Sequence, residues 1–70
     1  MNKFAERLNE VLKEINMAQI ELARRIKMSQ AIVNNYCKGK REPSLDVLIL
    51  ISKEINESTD YLLGVTDIPR

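Results

Sequence analysis

The sequence predicts an all-α fold, and three observations predict it. Apolar residues recur at helical spacing, as in Phe4, Leu8, Val11, Leu12 and Ile15. Serines stand where helices would begin, at Ser29, Ser44 and Ser58. Glycines stand where two helices would stop, at Gly39 and Gly64. The chain of 70 residues is the length of one small domain.

Taken in order, the first helix runs from about Asn2 or Lys3 to Glu14. Asn2 can cap it, and Glu6 suits the positive end of the helix dipole. Its core face is Phe4, Leu8, Val11, Leu12 and Ile15, with Glu6, Arg7, Asn9, Glu10, Lys13 and Glu14 outside. Asn16 should end it in the left-handed conformation, which Asn tolerates better than most residues. The second helix spans Gln19 to Ile26 and buries Leu22, Ala23 and Ile26. Ala18 precedes it and cannot cap, a loss of about 1 kcal/mol. Lys27 and Met28 leave room only for a tight turn. Ser29 caps a third helix, Gln30 to Lys38, whose inner side is Val33, Tyr36 and Cys37. Ile32, beside Val33, is expected to be partly buried. Ser44 caps the fourth helix. Its inward stripe is Leu45, Leu48, Ile49, Ser52 and Ile55, widened by Val47 and Ile51, so that it reads as the central packing element. Ser58 caps a short fifth helix, Thr59 to Leu63, and Tyr61 and Leu62 close the core.

Composition excludes several functions. The chain has no His, one Cys and two Gly. The commonest general base is therefore absent, no zinc site can be built and no glycine-rich phosphate loop exists. The expectation is no enzyme, no cofactor and no metal. The lone Cys37 rules out an internal disulfide and points to a reducing compartment. The N-terminus MNKFAERLNE lacks the apolar region of a signal peptide, and the apolar run Val47 to Ile51 is too short to span a bilayer. A cytoplasmic protein, away from membranes, is expected.

The outer face of the third helix is distinctive. It carries Gln30, Ala31, Asn34, Asn35 and Lys38, where a face chosen for solubility would carry Glu–Lys pairs. Gln and Asn carboxamides pair with adenine edges in the major groove. Charge placement supports that use. The chain is almost neutral, with eleven basic and ten acidic residues. Leu22 to Arg41 nevertheless holds Arg24, Arg25, Lys27, Lys38, Lys40 and Arg41 and no acid. A cationic segment around a carboxamide-bearing helix is the footprint of phosphate contacts around base contacts.

These features resemble the phage-repressor and Cro family of helix-turn-helix regulators, also called lambda-repressor-like or XRE. The resemblance rests on FAERLNEVL at 4–12, Gln19, Glu21-Leu22-Ala23, the Ser29-to-Tyr36 helix, Gly39-Lys40-Arg41-Glu42-Pro43-Ser44 and Asp60-Tyr61-Leu62-Leu63-Gly64, and covers nearly the whole chain. It implies a compact five-helix lambda-repressor-like domain with the helix-turn-helix at helices 2 and 3. It implies that Gln19 bonds a phosphate and braces Gln30, and that Ser29 contacts a phosphate or base edge. Gln30, Ala31 and Asn35 become base readers flanked by Asn34, with Ala31 limited to a thymine methyl. Lys40 and Arg41 become phosphate contacts, or by the plainer reading only solubilise a loop; Lys27 and Lys38 are DNA-contact candidates by their charge in the cationic segment, not by the resemblance. The chain departs from the family at Ala18, where Ser or Thr is usual, and at Lys27, where Gly often stands because φ tends positive. It departs again at Cys37 and Leu12, which replace an ion pair between Glu and Arg. Both partners have become apolar together, so Leu12 and Cys37 are expected to touch. A redox-sensing Cys37 is the sharper alternative. The family also implies dimerisation through the tail, here Leu63, Val65 and Ile68.

The sequence therefore reads as one DNA-binding domain over residues 1–70, with its core at about 3–64 and a short tail at 65–70. The expected function is a bacterial or phage-encoded transcriptional repressor that binds a palindromic double-stranded operator as a homodimer, through helix 29–38. The alternatives are an antitoxin or a protein-interaction module on the same fold.

Overall fold

Five helices follow one another: α1 Phe4–Glu14, α2 Gln19–Arg25, α3 Gln30–Cys37, α4 Leu45–Ile55 and α5 Thr59–Leu63. They come from a computed structural model that describes residues 2–69. Met1 and Arg70, the ends of the expected 1–70 domain, lie outside the described residues. No strand occurs among the described residues.

The starts follow the predicted chemistry. The Ser29 hydroxyl accepts from the Ile32 amide at 3.3 Å, Ser44 from Val47 at 3.3 Å and Ser58 from Tyr61 at 3.0 Å. Asn2 Oδ1 accepts from the Phe4 amide at 2.9 Å, so it serves the start of α1 from just ahead of Lys3. Ala18 holds the cap position of α2 without a side-chain bond.

The stops share one device. Asn16, Lys27, Gly39, Asn56 and Gly64 all have positive φ, between 56° and 82°. The residue after each donates back into the last turn: Met17 to Leu12, Met28 to Ala23, Lys40 to Asn35, Glu57 to Ser52 and Val65 to Asp60. Carbonyls that the helix leaves unpaired are thereby satisfied, and the chain reverses within a few residues. At Gly64 a β-carbon would also lie 3.1 Å from the Lys3 side chain, so that stop is crowded as well as left-handed.

One core joins Phe4, Leu8, Val11 and Leu12 of α1 to Leu22, Ala23, Ile26, Val33, Tyr36, Cys37, Leu48, Ile51, Ile55 and Leu62. Phe4 and Tyr36 meet edge to face at 6.2 Å. The main packings close a ring: α1 on α3, α3 on α2, α2 on α4, α4 on α5 and α5 on α1. This corrects the expectation that α4 is central. Its predicted inward face is right in part. Leu48, Ile51 and Ile55 point inward with Val47 partly covered, while Leu45 is 79% exposed and Ile49 46%. So many positions of α4 are apolar that periodicity has little contrast from which to choose a face. Ile15, expected in the core, is exposed beyond the last turn of α1. Ile32 is partly buried, as expected.

Arg7 is the largest correction. Expected on the outer face of α1, it is only 7% exposed. Its Nη1 donates to the carbonyls of Tyr61 and Thr66, each at 3.0 Å, and its Nη2 to Asp67 at 2.6 Å. The guanidinium lies 4.2 Å from the Tyr61 ring centroid, a cation–π stack. Each burden of burying a charge is met by a named partner. Asp67 is held below the usual carboxylate range by the Arg7 hydrogen bond first, then by Lys3.

No helix among the described residues is long and apolar enough to cross a membrane. Burial pushes the Cys37 thiol up, which keeps it protonated and a weak nucleophile.

Two outcomes follow from this packing. Leu12 and Cys37 are both buried in the one core. Leu12→Arg should therefore lower unfolding stability by about 3 kcal/mol, since its charge would have no acid to meet; an unchanged denaturation midpoint would contradict this. The second concerns pH. Because the folded state lowers the Asp67 pKa, its stabilisation is present above the ordinary Asp value of about 3.9 and is lost as pH falls through the lower folded value. Asp67→Asn should thus melt slightly below the wild type at neutral pH, with the gap closing on acidification. A gap that persists unchanged in acid would rule out the linkage.

Candidate nucleic-acid interface

The third helix is anchored at both ends. At its start, Ser29 caps the first turn, and the Lys27–Met28 turn folds α3 back against α2. At its end, Asn9 of α1 donates from Nδ2 to the Cys37 carbonyl at 2.7 Å, and to the Ala5 carbonyl at 3.0 Å. Sequence reading placed Asn9 on plain surface. Its only signal is a short amide side chain on the helix that packs against α3, which is too weak to single out. Val33, Tyr36 and Cys37 fill the inner side, and the Tyr36 hydroxyl reaches Met28 Sδ at 4.0 Å. A helix held in this way keeps its outer face in a defined orientation.

On that outer face, Ser29, Gln30, Ala31 and Lys38 are exposed, and Asn34 and Asn35 are half-buried. Gln30 and Asn35 have no side-chain hydrogen-bond partner among the described residues. Asn34 differs: its Nδ2 donates to Gln19 Oε1 at 3.0 Å. Gln19, half-buried at the start of α2, therefore pairs with Asn34 and not with Gln30, as the resemblance had implied. Gln30 begins α3, and Asn34 lies one turn further in.

Charge around α3 is narrower than the acid-free run Leu22 to Arg41 suggested. Arg24 and Arg25 both pair with Glu21, just outside that run, and Arg25 also approaches Glu54 at 3.5 Å. Each is an exposed pair and weakly stabilising, but it offsets cationic charge on α2. Lys27, Lys38, Lys40 and Arg41 are exposed and have no acidic partner among the described residues. Lys27 precedes α3, Lys38 ends it, and Lys40 and Arg41 open the loop to α4. That loop is tied to the N-terminus, where Asn2 Nδ2 donates to Glu42 at 3.0 Å. Lys27 adopts φ 59°, so its cation is placed at a strained backbone position.

Of the tail residues, Leu63 is half-buried, while Val65 and Ile68 are 71% and 76% exposed. They follow the α5 stop on the segment that Arg7 holds down.

Two short helices, a tight left-handed turn and an anchored outer carboxamide face make a helix-turn-helix, and the chain matches that family over residues 8–62. It belongs to the helix-turn-helix family. It is 32% identical over 65 residues to the HTH-type transcriptional regulator ImmR of Bacillus subtilis (strain 168), covering 93% of this chain and 51% of that protein. It is 29% identical over 66 residues to the uncharacterised HTH-type transcriptional regulator YobD of the same organism, covering 94% of this chain and 59% of that protein. The chain thus spans about half to three-fifths of the length of these curated relatives. Among solved structures, it superposes on the DNA-binding domain of the P22 c2 repressor with a TM-score of 0.82 and 28% identity, covering 90% of this chain and 86% of that one. The phage-repressor resemblance and the five-helix fold are thereby borne out.

The strained turn makes a prediction. Lys27→Gly relieves a left-handed non-glycine residue at a helix stop, where Gly is preferred. It should raise unfolding stability by about 1 kcal/mol. A lower stability in chemical denaturation would show that the lysine side chain contributes more to the fold than its backbone strain removes.

Proposed function

We propose that this chain is a sequence-specific double-stranded DNA-binding transcriptional repressor that inserts α3 into the major groove. The observation that carries the proposal is the anchored helix itself: Gln30 and Asn35 present unpartnered carboxamides, flanked by four cations that no acid neutralises among the described residues. Carboxamides in that setting read base edges, and the cations contact phosphates. Gln30, Ala31 and Asn35 face bases; Ser29 and Gln19 contact the backbone; Lys27, Lys38, Lys40 and Arg41 supply charge. Residues 1–70 act as one DNA-binding domain in the cytoplasm, without enzymatic chemistry.

A two-fold symmetric operator fits the same reading. Two copies would place their α3 helices about 34 Å apart, on successive turns of the major groove. Leu63, Val65 and Ile68 form the contact between copies. The exposure of Val65 and Ile68 supports this assignment, because apolar side chains on a held segment are available to a second copy.

Selection from a library of random duplexes at two salt concentrations tests the function. Enrichment of a two-fold symmetric site, with affinity falling steeply in salt, is expected. Gln30→Ala should then relax one position in each half-site by about tenfold in base discrimination. Absence of any enriched site would refute sequence-specific reading and favour a protein-interaction module.

A further inference from the structure

Three carboxamides lie on the outer face of α3, and the structure treats one of them differently. Gln30 and Asn35 have no side-chain partner among the described residues, whereas Asn34 Nδ2 donates to Gln19 Oε1 at 3.0 Å across the angle between α3 and α2. Both members of this pair are half-buried. The direction of the bond has a chemical consequence. A carboxamide offers an acceptor on one side and two donors on the other. With its Oε1 occupied by Asn34, Gln19 has its Nε2 hydrogens free. A phosphate oxygen accepts from such a group and repels a carbonyl oxygen. The opposite polarity, with Gln19 donating to Asn34, would turn the Gln19 carbonyl outward. Asn34 gives one of its two Nδ2 hydrogens to Gln19, and that bond fixes its carboxamide against α2, whereas the carboxamides of Gln30 and Asn35 are free to turn to a base edge.

We propose that Asn34 is a positioning residue, which orients the Gln19 carboxamide as a phosphate donor and leaves Gln30 and Asn35 as the carboxamides that read bases. This assignment rests on the DNA-binding reading above and deepens it. It divides the face of α3 into a reading pair and an orienting residue. It also makes Gln19 and Asn34 one functional unit built from two helices, so that the angle between α2 and α3 is coupled to the backbone contact.

The first measurement needs no DNA. In ¹⁵N spectra of the free protein, Gln19→Ala should shift the Asn34 side-chain amide resonances; unmoved resonances overturn the bond and the proposal with it. The second uses the selected duplex with wild type, Gln19→Ala, Asn34→Ala and the double variant. Each single variant should lose about fivefold in affinity, the size of one hydrogen bond, and the double variant should lose no more than either. The Asn34→Ala base-preference profile should match the wild type, whereas Asn35→Ala should relax one position. A merely structural role for Asn34 would not produce this coupling at unchanged base preference. Additive losses, or a relaxed base position in Asn34→Ala, overturn the proposal while the DNA reading stands. A wild-type protein that selects no duplex overturns both.

Discussion

Every helix in this chain must stop sharply, because five helices share so few residues. The left-handed residue at each stop meets that constraint, and the remaining architecture depends on it. Asn16, Lys27, Gly39, Asn56 and Gly64 each turn the backbone while returning amides to carbonyls of the last turn. Short connections follow, and with them a ring of pairwise packings around one core in which no helix is central. The same device at Lys27 sets α3 against α2, which is the arrangement that exposes one face of α3. Fold and site thus depend on one type of local geometry.

The core and the site divide α3 between them. Val33, Tyr36 and Cys37 are buried, and the opposite side carries amides and small residues. Anchoring comes from neighbours: the Ser29 hydroxyl at one end, Asn9 from α1 at the other and Gln19 from α2 between. A helix of eight residues has little stability of its own, so these contacts and its buried face hold it. With Arg24 and Arg25 paired to Glu21 and Glu54, the cations around α3 that lack an acidic partner among the described residues are Lys27, Lys38, Lys40 and Arg41.

Much of this was legible in the sequence where the signal is local. Serine caps, the left-handed stop at Asn16, and the inner residues of α2 and α3 each depend on a few adjacent positions, whereas the left-handed turn at Lys27 was legible only through the family resemblance. Features that depend on distant partners were not legible. Arg7 occupies an unremarkable place in the polar pattern of α1, and its acceptors lie more than fifty residues later. Leu45 and Ile49 of α4 were misplaced because its apolar residues outnumber those that one face can bury. The partner of Gln19 was misplaced because the choice between Gln30 and Asn34 turns on the angle between two helices, which spacing alone does not encode. Asn9 was passed over for the same reason: its acceptor is a backbone carbonyl of another helix.

The Arg7 clamp has a consequence for motion. A helix of five residues would ordinarily open and close on its own. Here the carbonyls of Tyr61 and Thr66 are bonded to a single guanidinium rooted in α1, and Leu62 is buried beneath them. α5 and the residues after it therefore belong to the same cooperative unit as α1. Protection from hydrogen exchange at this end of the chain is set by the stability of the first helix, and disturbance at either end of the chain is felt at the other.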